Sequence, residues 1–457
     1  MSRKFLVDRA YPSSEADSFP LPGRPTMNYK LLCPACGFQF DDDGFSLDCP
    51  RAHAPALLST RYSLRKLECD PDAAGMYRYR CWLPDANRLP KAPGSVTYQS
   101  PRLNAILRLP HLWIAFSGYW PERGAALETA TFKELEVCGV LSRIPAGNSR
   151  VLVVASAGNT AAAFARSCSE NNAPCLIVVP ESGMRSMRFP GRLKPCVRIV
   201  CLTGEAGYSD AIAFAERISR EDGFVCEGGV KNVGRRDGLA TAMLSAAETI
   251  GRLPDYYVQA IGSGAGAIAA HEAAKRLAQD SRFAGALPRL MLSQNAPFQP
   301  VYDSWRAGGR DLVELDPRAA RTLTQKIVAR VLTNRLPPYY LTGGLFDVLR
   351  ESQGDMFAVS NEEVMQAMTL FDTCEGVDID PAAGVALAAL SRAARFGQIR
   401  SQATILLHIT GGGARKRASE NILLDAPPDL QLSLPELDAV GALEKACGLF
   451  AGQALRT

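Results

Sequence analysis

Between Ser149 and Gly411 the chain alternates short, β-branched apolar runs with longer segments whose apolar residues recur at three and four spacing. The runs SRVLVVAS, PCLIVVP, VRIVCLTG, GFVCEGG, DYYVQAIG, RLMLSQN, DMFAVS and TILLHITG read as strands. NTAAAFARSCSENN, YSDAIAFAERISRED, RRDGLATAMLSAAETIG, GAIAAHEAAKRLAQD, NEEVMQAMTLFDTCEG and PAAGVALAALSRAARFG read as helices. Strand and helix in turn imply parallel sheets with crossover helices on both faces, hence the α/β class. Local punctuation agrees. Ser360 and Glu363 have capping-box spacing, and Pro381 suits a first helical turn. About 300 residues of such units exceed one ordinary domain, which predicts two lobes. Ligands of open α/β sheets sit at the carboxyl ends of strands, so the strand-to-helix turns are where chemistry is to be sought.

Composition excludes several classes. The 457 residues are 47% apolar and 21% charged, ordinary for a globular protein with two or three cores. The longest uncharged central stretches, 151–165 and 256–274, are broken by polar residues and fall short of the ~20 strongly apolar residues of a membrane span. The N-terminus carries a three-residue apolar run, Phe5-Leu6-Val7, where a secretory signal needs roughly 7 to 15. A cytoplasmic protein with a ragged start is expected. Subtracting 47 acidic from 51 basic side chains leaves +4, too little to imply nucleic acid as a partner. Thirteen cysteines without a secretion signal read as reduced thiols, mostly buried.

Three strand ends carry chemical potential. Gly262-Ser263-Gly264-Ala265-Gly266-Ala267 lets backbone approach an anion while the helix start offers free N–H groups. A dinucleotide site would place a carboxylate at the end of the next strand; that strand ends Ser293-Gln294-Asn295, which favours a phosphate monoester. Ser156-Ala157-Gly158-Asn159-Thr160 could hold a carboxylate, or be an ordinary helix start with Ser156 or Asn159 as cap. Thr410-Gly411-Gly412-Gly413 permits close approach to a ligand or is a plain loop. Thr131-Phe132-Lys133-Glu134-Leu135-Glu136 would by itself be a solvated ion-pair face. Together, a phosphate cup, a carboxylate-type turn and a lysine are what a pyridoxal phosphate site requires.

Near the N-terminus Cys33, Cys36, Cys49 and His53 follow a ribbon-like order with plausible zinc spacing, the alternative being buried thiols without metal. His271 and His408 lie in apolar stretches and read as satisfied core residues. No G-x-S-x-G accompanies the four histidines, which disfavours a Ser-His hydrolase. Lys231, Arg235 and Arg236 follow a strand end and could face anionic substrates.

The lysine, carboxylate-turn and glycine motifs, in this order, resemble the threonine synthase branch of fold-type II pyridoxal phosphate enzymes, whose lobes are tryptophan synthase β-like. More narrowly, FSGYWPERGAALETATFKELE, EGGVKNVGRRDG, PDYYVQAIGSGAG, VLTNRLPPYYLTGGLFD and EGVDIDPAAGVALAAL are similar to the cysteate synthases, from about Tyr29 to Ala418. The resemblance implies that Lys133 carries pyridoxal 5'-phosphate as a Schiff base and moves the Cα proton. It implies that Asn159 bonds the phenolic oxygen, that Gly262, Ser263, Gly264, Ala265 and Gly266 hold the phosphate, and that Thr410 faces the ring nitrogen. Gly266-Ala267 departs from the usual threonine or glycine, which implies one phosphate hydrogen bond fewer. The implied reaction joins O-phospho-L-serine and sulfite to L-cysteate and phosphate through an aminoacrylate. Ser156, Ala157, Gly158, Thr160, Lys231, Arg235 and Arg236 are then expected around the anionic substrates. Threonine synthesis from O-phosphohomoserine, replacement by sulfide or another nucleophile, and a dinucleotide-binding regulator stand as alternatives. The expected division is a flexible stretch 1–28, a zinc-ribbon-like segment 29–60, a larger cofactor-binding lobe 61–131 with 246–430, a smaller lobe 132–245 and a tail 431–457. No membrane partner is expected, and a homo-oligomer, by default a dimer, is.

Overall fold

Two mainly parallel sheets frame the molecule in the computed structural model, which describes residues 27–451 other than Asp85 and Ala92. The smaller sheet runs Phe224–Cys226, Val151–Ala155, Cys175–Pro180, Val197–Thr203, Leu430–Ser433, with every neighbouring pair parallel. The larger runs Asp355–Val359, Arg289–Asn295, Tyr256–Ala260, Ile405–Ile409, Leu112–Phe116, Val96–Gln99, parallel except at the antiparallel edge strand Val96–Gln99. Every run read as a strand is a strand, and every segment read as helical is a helix. Cys175–Pro180 and Tyr256–Ala260 are buried along their whole length, as helices on both faces require.

A third, antiparallel sheet of Gln39–Phe40, Tyr29–Leu32 and Ser59–Tyr62 forms the N-terminal ribbon. It docks on the helices Lys133–Arg143 and Val233–Ile250. Arg143 grips both oxygens of Asp42 at 2.7 Å, with both side chains fully buried, and the Thr60 and Tyr62 hydroxyls donate to Asp237 at 2.8 Å. Those two helices cross at glycine-to-backbone contact. A Cβ on Gly238 would lie 2.1 Å from the Leu135 carbonyl oxygen, and one on Gly139 2.1 Å from that of Gly234. Leu135, Val140, Leu239, Met243, Ile268 and Leu290 belong to one continuous apolar core, so the two lobes share packing.

The flexible stretch expected at 1–28 lies, but for its last two residues, outside the described residues. The segment expected as a tail from 431 is built into the smaller lobe as far as it is described. Leu430–Ser433 pairs with Val197–Thr203, and Leu432, Leu437, Ala442, Ala446 and Phe450 bury against Phe214 and Ile218. A four-residue strand carries almost no periodic signal, and its partner lies more than two hundred residues away, so only the fold reveals it. Among the described residues no helix is long and apolar enough to cross a membrane.

Candidate active site

The strands Val151–Ala155, Tyr256–Ala260 and Ile405–Ile409 all open at their carboxyl ends on one cleft. Lys133 stands in its wall as the first residue of Lys133–Arg143. Phe132 N donates to Thr410 O at 2.9 Å and Gly412 N to Ala130 O at 3.0 Å, tying the lysine's approach to the loop after Ile405–Ile409. Lys133, Ser156–Thr160, Gly262–Gly266 and Thr410, separated by up to nearly three hundred residues in sequence, therefore line one space.

Lys133 Nζ lies 3.0 Å from Glu136 Oε2, one turn along the helix. Glu136 is fully buried and also accepts from Arg235 Nη1 at 2.7 Å and Thr160 Oγ1 at 2.9 Å. Burial would push its carboxyl up, but Arg235 and Lys133 outweigh it and hold it below the usual carboxylate range. Arg235 carries Glu227 on its other edge, with Nε to Oε1 at 2.9 Å. Burial disfavours its charge, yet the two carboxylates keep it protonated beyond the ordinary arginine range. Both edges of its fork are occupied, so Arg235 lines the cleft as a counter-ion to Glu136 rather than as a free anion receptor.

The glycine turn leads from Tyr256–Ala260 into the helix Ala265–Leu277. Gly264 caps that helix at φ 82°, and a Cβ there would lie 2.5 Å from the Leu345 side chain, so conformation and space both demand glycine. The first N–H groups of that helix have no partner within it and are free to meet an anion. At Gly266, where the resemblance implied a lost hydrogen bond, a Cβ would meet Gln259 Nε2 at 2.7 Å. The Gln259 amide thus occupies that neighbourhood, a cleft residue the sequence reading did not name. Tyr257 donates to Gln259 Oε1 at 2.5 Å, stands 2.8 Å from His408 Nδ1, and His408 Nε2 is 2.9 Å from Ser117 Oγ. Burial pushes His408 down to about 3, so it is a neutral core residue. His271 is buried against Glu351 at 3.0 Å.

Ser156 Oγ accepts from Gly158 N at 3.0 Å and from Ala161 N at 2.9 Å, so it satisfies a first-turn N–H of the helix Asn159–Glu170, whose N-cap residue is Gly158. The Asn159 amide and the Thr410 hydroxyl both border the cleft, and neither has a hydrogen-bond partner among the described residues. Beside Thr410 stands Asp380, also absent from the sequence reading. It caps Pro381–Arg395 through Ala383 N at 2.7 Å, and burial pushes its carboxyl up to about 6.

Two nominated cations do not reach the cleft. Lys231 pairs with Asp48 at 2.8 Å on the ribbon, and Arg236 is buried among Glu272 and the carbonyls of Val230 and Leu58. Adjacent helical positions point about 100° apart, so Arg235 and Arg236 could not both face one site. Arg335, unnamed from the sequence, follows the cleft residue Asn334 and is half-buried, with Nε 2.7 Å from Ser209 Oγ. No carboxylate lies within ion-pair distance of it among the described residues; burial, and then Arg321, push it below the ordinary arginine range despite Asp210.

These residues fit pyridoxal phosphate: a primary amine in the wall, an N–H cradle from which Gly264 excludes any side chain, and an amide and a hydroxyl left without partners. The chain belongs to the pyridoxal-phosphate dependent enzyme family, whose model matches residues 119–411. The fold is that of maize serine racemase (TM-score 0.54, 17% identity, 70% of this chain and 88% of that one) and of threonine deaminase isoform 2 from Solanum lycopersicum (TM-score 0.53, 15%, 81% and 97%). Within that family it is a member of the cysteate synthases. It is 45% identical over 403 residues to the cysteate synthase of Methanosphaerula palustris (88% of this chain, 93% of that protein) and 41% over 408 to that of Methanosarcina acetivorans (89% and 97%). A dinucleotide-binding regulator is thereby set aside.

Proposed function

We propose that the enzyme replaces the phosphate of O-phospho-L-serine by sulfite, giving L-cysteate and phosphate, in the cytoplasm. The observation that carries this reading is the convergence of Lys133, the glycine cradle and the Ser156–Thr160 turn on one cleft, in a chain at least 41% identical to two cysteate synthases over most of its length. In this reading Lys133 bonds the cofactor, Gly262 to Gly266 with Gln259 take its phosphate, Asn159 its phenolic oxygen and Thr410 its ring nitrogen. Bound there, pyridoxal 5'-phosphate supplies the electron sink that makes the substrate Cα proton removable.

The chain's own groups do the rest. N–H groups of the turn 156–160 hold the substrate carboxylate. Lys133 Nζ takes the Cα proton and returns it after the nucleophile has added. Glu136, itself held by Arg235 and Thr160, fixes where the Lys133 amine stands, at 3.0 Å from Oε2. Arg335, next to the cleft residue Asn334 and without an ion-pair partner among the described residues, attracts the leaving phosphate and the arriving sulfite.

The test offers O-phosphoserine with sulfite, O-phosphoserine with sulfide, and O-phosphohomoserine alone, reading released phosphate and the mass of the amino-acid product. Cysteate from the first pair is expected. Phosphate released only from O-phosphohomoserine would replace this reading by threonine synthesis, and preference for sulfide would rename the acceptor.

A further inference from the structure

We propose that Cys33, Cys36, Cys49 and His53 bind one zinc ion, and that this ion locks the N-terminal ribbon onto the helix that begins at Lys133. The inference is independent of the substrates proposed above. Among the described residues, these four side chains are the group whose ligand atoms all lie within 4.8 Å of one another. A tetrahedral zinc with sulfur ligands at about 2.3 Å and nitrogen at about 2.0 Å separates its ligand atoms by roughly 3.5 to 3.8 Å. Cys36 Sγ and Cys49 Sγ are 3.7 Å apart, and Cys33 Sγ and His53 Nε2 3.3 Å.

The surrounding backbone is arranged for ligation. Cys33 N donates to Phe38 O and Gly37 N to Cys33 O, both at 2.9 Å, closing a knuckle whose Gly37 takes φ 71°. In the neutral imidazole, His53 Nδ1–H donates to the Ala54 carbonyl at 2.6 Å, and the Nε2 lone pair faces Cys33 at 3.3 Å. A Cys36–Cys49 disulfide would use two of the four groups and explain neither the turn of His53 nor the approach of Cys33. The ribbon's strands are two to four residues long, so a cross-link at its knuckle adds to what its packing against the core supplies. Binding releases the protons of the three thiols to solvent and needs no change of oxidation state.

The loop between Cys36 and Cys49 is what the ion would hold. It carries Asp42 and Ser46, whose oxygens bind the Arg143 guanidinium at 2.7 Å, and Leu47, packed where a Cβ on Gly228 would meet it at 2.3 Å. Arg143 is the last residue of the helix that starts at Lys133, and Glu227, next to Gly228, holds Arg235.

The full-length enzyme, purified without chelator and desalted, is expected to hold about one zinc per chain by elemental mass spectrometry. With cobalt in place of zinc it is expected to show thiolate charge-transfer and tetrahedral ligand-field bands. In the variant Cys36→Ser with Cys49→Ser, zinc content falls at least tenfold and trypsin cuts within 30–66 far faster. If that variant does not fold, chelation of the wild-type protein gives the same readout, with zinc release and accelerated cleavage in step. Zinc below a tenth of an equivalent in zinc-replete preparations, full zinc in the double variant, or a Cys36–Cys49 disulfide in the mass map would overturn the site. Zinc loss without faster cleavage would overturn its locking role.

Discussion

In the cleft, position sets the chemistry of Lys133 and burial that of Asp380. If Lys133 moves the Cα proton, Lys133→Ala loses turnover by roughly 10³-fold or more, together with the yellow colour of bound cofactor, while the far-ultraviolet circular dichroism stays that of wild type. Retained activity in that variant would assign the work to another amine. Asp380 titrates near 6 because burial disfavours its charge, whereas in the unfolded chain it titrates near 3.9. Between those values the folded state keeps a proton that the unfolded state has lost, so this group's contribution to stability falls as pH rises from about 4 to about 6 and is level above. Asp380→Asn therefore gains on wild type across that window, by roughly 3 kcal/mol at pH 7 for a shift of about two units. Urea unfolding of the cofactor-free proteins at several pH values checks it, and a difference independent of pH would refute it.

The helix Lys133–Arg143 is positioned by its neighbours rather than by its own propensity, since residues 134 to 143 are buried throughout. Its crossing with Val233–Ile250 depends on glycine at 139, 234 and 238, where backbone meets backbone. Gly238→Val puts a branched side chain into the Leu135 carbonyl and is expected to cost at least about 1–3 kcal/mol, read as a lowered melting temperature and impaired cofactor binding together. At the cradle, Gly264→Ala adds about 1–2 kcal/mol of left-handed strain and a clash with Leu345. Cofactor retention through dialysis is expected to fall while the rest of the fold melts nearly as wild type. Had Gly264 been only a turn residue, the change would alter stability and leave cofactor affinity untouched.

Across the whole molecule, ribbon and lobes are joined by buried charge. Asp42 and Arg143 are both fully buried, so removing one partner strands the other in a medium of low dielectric. Asp42→Ala is expected to cost about 3–5 kcal/mol, whereas Asp42→Leu with Arg143→Met together costs less than either change alone, because no charge is left unpaired. Thermal unfolding of the two single variants and the double one forms the cycle that decides it.

Much of this was legible locally. The strand and helix order followed from periodicity, because a side chain's face depends only on its own backbone. The glycine turn was visible because glycine at a strand end is a property of a few consecutive residues, whereas Lys133 stood out only in the company of the other motifs and by resemblance. Where charge goes was not legible. Arg235 is neutralised by Glu136, 99 residues away, and Arg143 by Asp42, 101 away; Lys231 turns out to belong to the ribbon through Asp48. Asp380, at a helix start, and Arg335, in a loop, carry no local sign of standing at the cleft. Whether a cation is free or paired, and whether a carboxyl near pH 6 keeps its proton, depends on what the fold brings within a few ångströms and on how much water it removes, and no local stretch of sequence carries either quantity.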